Sequence, residues 1–209
     1  MFPSIRPRHR TLKRHLSSTD CHNRNVITRA WFKNVVIGEK LCPFAPPLLQ
    51  TPSLLRIVSS SATTPNEAIE ELGSEITLLV KEMPPHETTL ITYGMTSWTS
   101  DFRDFVRLSW QMQEMVVAEN YVSDVQLVLF HPDATHQTYA YHGDEPNPAD
   151  YTIRSPFPTI HILRQVDVLR AVQSSYPDLE SLPARNQQRM IQQGLKICQE
   201  RLQNCFQST

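Results

Sequence analysis

Four short segments of strand length alternate with segments of helical period, and the third of them, residues 125–130, is apolar at every position except Gln126. A run without a period of two has no solvent face, so it reads as a strand covered on both sides, and helices are the usual cover. The other strand candidates are residues 54–59, residues 88–93 with Gly94 as their stop, and residues 159–163.

The helical segments carry their own punctuation. Residues 26–40 place Ile27, Ala30, Trp31 and Val35 on one stripe, with Gly38 near the end. Thr64-Pro65-Asn66-Glu67 supplies an N-cap, a proline at the first helical position and a glutamate three residues on. Ile69, Leu72, Ile76, Leu79, Val80 and Met83 then mark one face, and Pro84-Pro85 ends it. Ser100-Asp101 caps a third helix, whose Phe102, Phe105, Leu108, Met112, Met115 and Val116 face a core, and Trp98 and Trp110 read as packing residues. A fourth helix is expected from Asp167 to about Ser174, and a last one carries the stripe Ile191, Leu195, Cys198, Leu202 and Cys205.

Between these elements, residues 41–53 hold four prolines and read as an ordered loop or linker. Residues 133–158 keep neither period, and a loop of that length inside a compact domain usually has a function. The order of elements predicts an α/β (α+β) fold, a two-layer sandwich in which helices pack on a mixed four-stranded sheet. A thioredoxin-like order is the alternative, but no C-x-x-C pair occurs and Pro158 precedes the fourth strand rather than the third. The expected organisation is a leader over residues 1–19, one domain over residues 20–176 and a C-terminal helical extension over residues 177–209.

The leader is inferred from charge. Residues 1–19 contain Arg6, Arg8, Arg10, Lys13 and Arg14 and no acidic residue, whereas the rest of the chain has 15 basic against 21 acidic residues, a formal charge of -6. Arg-rich, acid-poor, Ser-containing N-termini direct import into mitochondria, and Arg14-His15-Leu16-Ser17-Ser18 resembles a matrix-protease site cut between Leu16 and Ser17. The expected location is the mitochondrial matrix, with a plastid or the cytoplasm as alternatives. The acidic remainder argues against a nucleic-acid partner, and no apolar run approaches the roughly 20 residues of a membrane-spanning helix. Nothing in the sequence fixes an oligomeric state.

Chemistry concentrates at a few positions. Cys42 lies in the proline-rich loop, where a cation or a helix N-terminus would make its thiol a nucleophile and a metal would make it a ligand. Packing as small apolar residues suits Cys198 and Cys205. His131 ends the apolar strand, at the kind of strand terminus where α/β sheets bind ligands. His161 projects from its strand opposite Ile160 and Ile162. Arg154 and Ser155 on one side of that strand and Arg164 on the other would hold a carboxylate or phosphate. Asp144, Glu145 and Asp150 offer loop carboxylates, while the five- and six-residue spacings of His131, His136 and His142 match no zinc motif.

Three separated motifs also resemble the family known as domain of unknown function 1415. They are Ile37-Gly38 with Leu41-Cys42-Pro43-Phe44-Ala45; Phe130-His131-Pro132; and Tyr151-Thr152, Arg154-Ser155-Pro156-Phe157-Pro158 and Ile160-His161-Ile162-Leu163-Arg164, a likeness covering about residues 26–172. The resemblance implies that Cys42, His131, Arg154, Ser155, His161 and Arg164 belong to the family's pattern, without implying an activity. Lys40, Asp150 and Ile153 depart from it, each standing where an Asn is usual.

Three readings follow. The first is a small enzyme acting on an anionic metabolite, with Cys42, His131 and His161 as catalytic groups and Arg154, Ser155 and Arg164 binding substrate. In the second, Cys42, His131 and His161 ligate a metal, zinc or iron. The third is a non-catalytic interaction or assembly protein that uses the two long loops.

Overall fold

A computed structural model describes residues 18–136, 147–173 and 179–207. The leader up to Ser17 and the loop residues His142, Asp144 and Glu145 lie outside the described residues. The fold is α+β: four strands, β1 (Leu55–Ser59), β2 (Thr88–Thr92), β3 (Val125–Phe130) and β4 (Thr159–Arg164), form one mixed sheet in the order β1-β2-β4-β3. β1 and β2 run parallel, while β4 is antiparallel to both β2 and β3.

That order reverses one expectation. β3, the apolar run, is an edge strand with most of its residues half-buried, and the Thr-rich β2 is the strand buried at all five positions. Thr side chains tolerate such a place when their hydroxyls find carbonyls within reach. Thr88 Oγ1 donates to the Ile162 carbonyl at 2.8 Å, and Thr92 Oγ1 to that of Val58 at 3.2 Å.

Helices cover both faces of the sheet. On the first face, α3 (Pro65–Lys81) and α4 (Phe102–Ala118) bury Leu72, Ile76, Phe105 and Met112 against Ile91, Ile160 and Ile162. Their caps are those read from the sequence: Thr64 Oγ1 accepts from Glu67 N, and the Asp101 carboxylate from Arg103 N and Asp104 N. On the second face lies α1 (Ser18–Trp31), continued by a π-helical turn over Phe32–Ile37. It begins about two turns before Val26, inside the segment assigned to the leader. Its Ile27, Trp31, Phe32 and Val35 pack with Leu55 and Leu90. Gly38 closes this helix with no room for a side chain, since a Cβ there would sit 2.3 Å from the Asn34 carbonyl oxygen.

Two breaks differ from the expected ones. Within the proline-rich stretch, α2 (Pro46–Gln50) is helical because its prolines occupy the first positions, where a missing N–H costs nothing. α5 (Gln165–Gln173) follows β4 directly. The last helix is two, α6 (Leu182–Gln193) and α7 (Leu195–Asn204), divided at Gly194 with φ 84°. The break leaves Ile191 48% exposed while Cys198 and Cys205 stay buried.

α6 and α7 grip the turn that leads to Cys42. Asn186 Nδ2 donates to the Leu41 carbonyl at 2.7 Å, Arg189 donates to the Glu39 carbonyl, and the Glu39 carboxylate takes Arg201 at 2.5 Å and Gln193 at 2.6 Å. In the middle of that turn Lys40 has φ 53°, a left-handed conformation that costs a residue with a Cβ about 1–2 kcal/mol and that Asn or Gly adopts more readily. Replacing Lys40 by Gly or Asn is therefore expected to raise the free energy of unfolding by about 1 kcal/mol, read from the urea midpoint. An unchanged or lower midpoint contradicts this account of the turn.

Candidate functional site

The strand directions define where a site can form. β3 and β2 are both antiparallel to β4, so β1, β2 and β3 point the same way and their carboxyl ends share one edge of the sheet. Ligands gather at such edges in α/β proteins. α1 crosses this edge on the second face. Midway along it Arg24 donates to the carbonyls of Ser60 at 2.7 Å and Thr92 at 3.3 Å. Seven residues on, the Trp31 ring meets Phe130 edge-on at 5.2 Å, and its Nε1 donates to the Arg154 carbonyl at 3.0 Å.

Three of the residues singled out in the sequence lie at this edge. Phe130 faces α1, so His131 turns to the other face and packs against the Phe102 and Phe105 rings. It is fully buried, and both ring nitrogens are engaged: Asp133 N donates to Nδ1 at 3.0 Å, which leaves Nε2–H to donate to the Thr99 carbonyl at 2.7 Å. Burial holds its pKa below the ordinary value, outweighing the Thr99 bond. Ser155 Oγ, also buried, donates to the Phe157 carbonyl at 2.6 Å. Arg154 donates to the Ala134 carbonyl at 3.1 Å, lies over the Tyr151 ring at 4.8 Å and approaches Asp150 at 3.9 Å. Asp150 Oδ1 in turn accepts from His136 N.

The other three lie elsewhere. His161 projects to the second face, opposite the side taken by His131, because Ile160 and Ile162 pack among α3 and α4. Its Nε2 lies 2.6 Å from Thr88 Oγ1, whose proton goes to the Ile162 carbonyl, so the imidazole donates. Arg164 ends β4 at the far edge, five residues and about 16 Å from Thr159, where it donates to the carbonyls of Leu79, Met83 and Pro84 and closes the C-terminus of α3. Arg154 and Arg164 thus do not form one clamp. Cys42 packs against the second-face core, and burial pushes its thiol up against the lowering effect of the Phe44 and Ala45 N–H groups. Among the described residues no group of three or more His, Cys, Asp or Glu side chains is placed to hold a metal ion.

Sequence reasoning missed a polar corner at the same edge. Arg24 is 5% exposed and Tyr93, which follows β2, is 1% exposed. The Glu71 carboxylate lies near Ser60, within the field of Arg24, and its own charge reaches Tyr93. Arg24 Nε, Glu71 Oε2 and Tyr93 OH are buried without a hydrogen-bond partner. Burial raises the pKa of Glu71, and burial with the Glu71 and Glu75 charges raises that of Tyr93 well above the usual phenol value. A groove of about 300 Å³ lined by Ser61, Ala62, Glu67, Glu70, Glu71 and Ser74 opens beside this corner. The available signal was Arg24 itself, a charge seven residues before Trp31 on the stripe that faces the sheet.

His161 makes stability depend on pH with a definite sign. Burial lowers its pKa from 6.5 to about 4, so the folded state prefers the neutral ring and the unfolded state takes up the proton first. The contribution is complete above about pH 6.5 and is lost as pH falls toward 4, a loss of at most roughly 3 kcal/mol. Denaturant titrations from pH 7 to pH 4 are expected to show a shallower decline for His161→Leu than for the unaltered chain. Parallel declines would assign the pH dependence to other groups.

The likeness noted in the sequence extends beyond its three motifs. A family model described as a protein of unknown function (DUF1415) matches residues 24–200, from Arg24 through most of α7. No curated protein and no solved structure matches the chain. With more than half of its length matched, the chain belongs to the DUF1415 family.

Proposed function

We propose that this protein is a small enzyme of the mitochondrial matrix that binds an anionic metabolite at the carboxyl edge of β1 and β2, in the corner formed by Arg24, Ser60, Glu71 and Tyr93. The observation that carries the reading is the set of unpartnered buried atoms there, Arg24 Nε, Glu71 Oε2 and Tyr93 OH. Folded proteins leave few such atoms unpaired, and several together mark a place where another molecule completes the bonding.

The chemistry of the set fits one substrate class. Among the described residues no carboxylate is hydrogen-bonded to the Arg24 cation, so an anionic group is the partner that offsets its burial. Glu71, with its pKa raised by burial, is suited to hand a proton to a bound substrate or take one from it. The glutamates of the adjacent groove call for hydroxyl or amino groups on the rest of that substrate. Cys42, His131 and His161 act in this reading as structural groups, because their positions are spent on packing and on bonds already described. The acidic balance beyond the leader disfavours a nucleic-acid partner.

A thermal-shift panel of small hydroxy- and amino-carboxylates and phosphate esters tests the site. A ligand at about one hundred times its Kd is expected to stabilise the protein by about 2.7 kcal/mol. Tyr93→Phe and Glu71→Gln, which keep the shape of the corner, are expected to weaken that ligand by tenfold or more, about 1.4 kcal/mol. If no compound shifts the transition, or if both variants bind as the unaltered chain does, the site is wrong.

The location rests on the basic leader. Residues 1–19 fused to a fluorescent reporter are expected to deliver it to mitochondria, and mature protein isolated from the organelle to begin at Ser17. Retention of import after Arg6, Arg8, Arg10, Lys13 and Arg14 are all changed to Gln would remove the charge argument behind it.

A further inference from the structure

The corner and the groove beside it carry opposite charges. Glu67, Glu70, Glu71 and Ser74 recur at intervals of three and four residues, so they share one stripe of α3, and Ser61 and Ala62 complete the groove of about 300 Å³ from the connection after β1. This lining holds three carboxylates and no cation. Only Glu67 is explained by its helix, since its Oε2 accepts from Thr63 N at 2.6 Å and from Thr63 Oγ1 at 2.9 Å. Glu70 and Glu71 stand beyond the first turn, where the helix dipole no longer favours a negative charge. Among the described residues neither forms an ion pair.

Glu71 belongs to both places, since it lines the groove and lies within the field of Arg24. Tyr93, 1% exposed and with its hydroxyl unpartnered, is turned toward the same stretch of α3, where the charges of Glu71 and Glu75 reach it. Glu75 is already taken by Arg56. An anion that came alone to Arg24 would therefore lie beside the Glu67, Glu70 and Glu71 carboxylates, and like charges brought together oppose association.

We infer that the molecule bound at the corner is a zwitterion, a small amino carboxylate whose carboxylate meets Arg24 and Tyr93 while its ammonium group lies in the groove against Glu70 and Glu71. The inference rests on the anion site proposed above and names its substrate class. Arg24 Nε and Tyr93 OH each hold one unspent donor, and two donors suit the two oxygens of a carboxylate. An ammonium group brings three diverging N–H donors and a positive charge, which suits carboxylates spread along a helix stripe. A metal ion instead needs ligands that converge on one point, and among the described residues no three His, Cys, Asp or Glu side chains do so. A hydroxyl brings no charge and leaves the repulsion by the glutamates unanswered.

Titration calorimetry on the full chain with matched pairs of compounds tests the ammonium site. The pairs are glycine and glycolate, β-alanine and β-hydroxypropionate, and γ-aminobutyrate and γ-hydroxybutyrate, whose members differ only at the end away from the carboxylate. In the pair of fitting length the amino acid is expected to bind about fivefold more tightly than the hydroxy acid, or better. Glu70→Gln, at an exposed position of α3, removes a charge and keeps the shape, and is expected to shrink that ratio. Hydroxy acids that bind as well as their amino counterparts would overturn the inference and leave the anion site standing. A ratio unchanged by Glu70→Gln would overturn it too, because the ammonium group would then lie outside the groove. If no member of any pair binds, the inference falls together with the anion site.

Discussion

Burying a guanidinium is costly unless its charge is met by well-placed acceptors, and in this protein the cost falls on Arg24. Its two terminal nitrogens donate to the carbonyls at the ends of β1 and β2, so one side chain from α1 ties together the two parallel strands, adding to their ladder and to the bond from Thr92 Oγ1 to the Val58 carbonyl. Charge-assisted bonds of this kind are stronger than the neutral ones around them. They also fix the crossing of α1, and so bring Trp31 to Phe130 and to the backbone of Arg154 at the other end of the edge. The second-face core and the anchoring of the long loop both follow from where that one guanidinium sits.

The polar residues of the family pattern take on a different meaning in this frame. His131, Ser155, Arg154 and Arg164 each spend their donors chiefly on main-chain carbonyls. Those carbonyls belong to segments without a sheet partner: the turn before α4, the loops around β3 and β4, and the end of α3. Irregular backbone that is buried must find partners somewhere, and a fold with long proline-rich connections cannot supply them all from secondary structure. A side chain that bonds a particular carbonyl is as constrained in identity as one that binds a substrate.

That equivalence explains what the sequence made legible. Apolar period and cap chemistry located α3, α4 and all four strands within a residue or two, because Thr64, Asp101 and the apolar runs act locally. The convergence of Cys42, His131 and His161 did not survive, because it depended on which face each side chain takes and on strand order. His131 and His161 sit on opposite faces of one sheet, a fact fixed by the β3-β4 register. Arg24 escaped notice for the complementary reason. Beside a basic leader one more arginine reads as more of the same, and only its position on the buried stripe separates it from Arg14.

Strand order also settles why the most apolar strand lies outermost. A central strand has both neighbours supplying hydrogen bonds and both faces covered, so β2 can carry Thr at three of its five positions, two of whose hydroxyls, those of Thr88 and Thr92, reach carbonyls. An edge strand has one ladder in place of two, here with β4, and the packing of its side chains supplies the rest of its hold. The apolar composition of β3 meets that task on both faces, with Leu127 and Leu129 in the first-face core and Phe130 in the second.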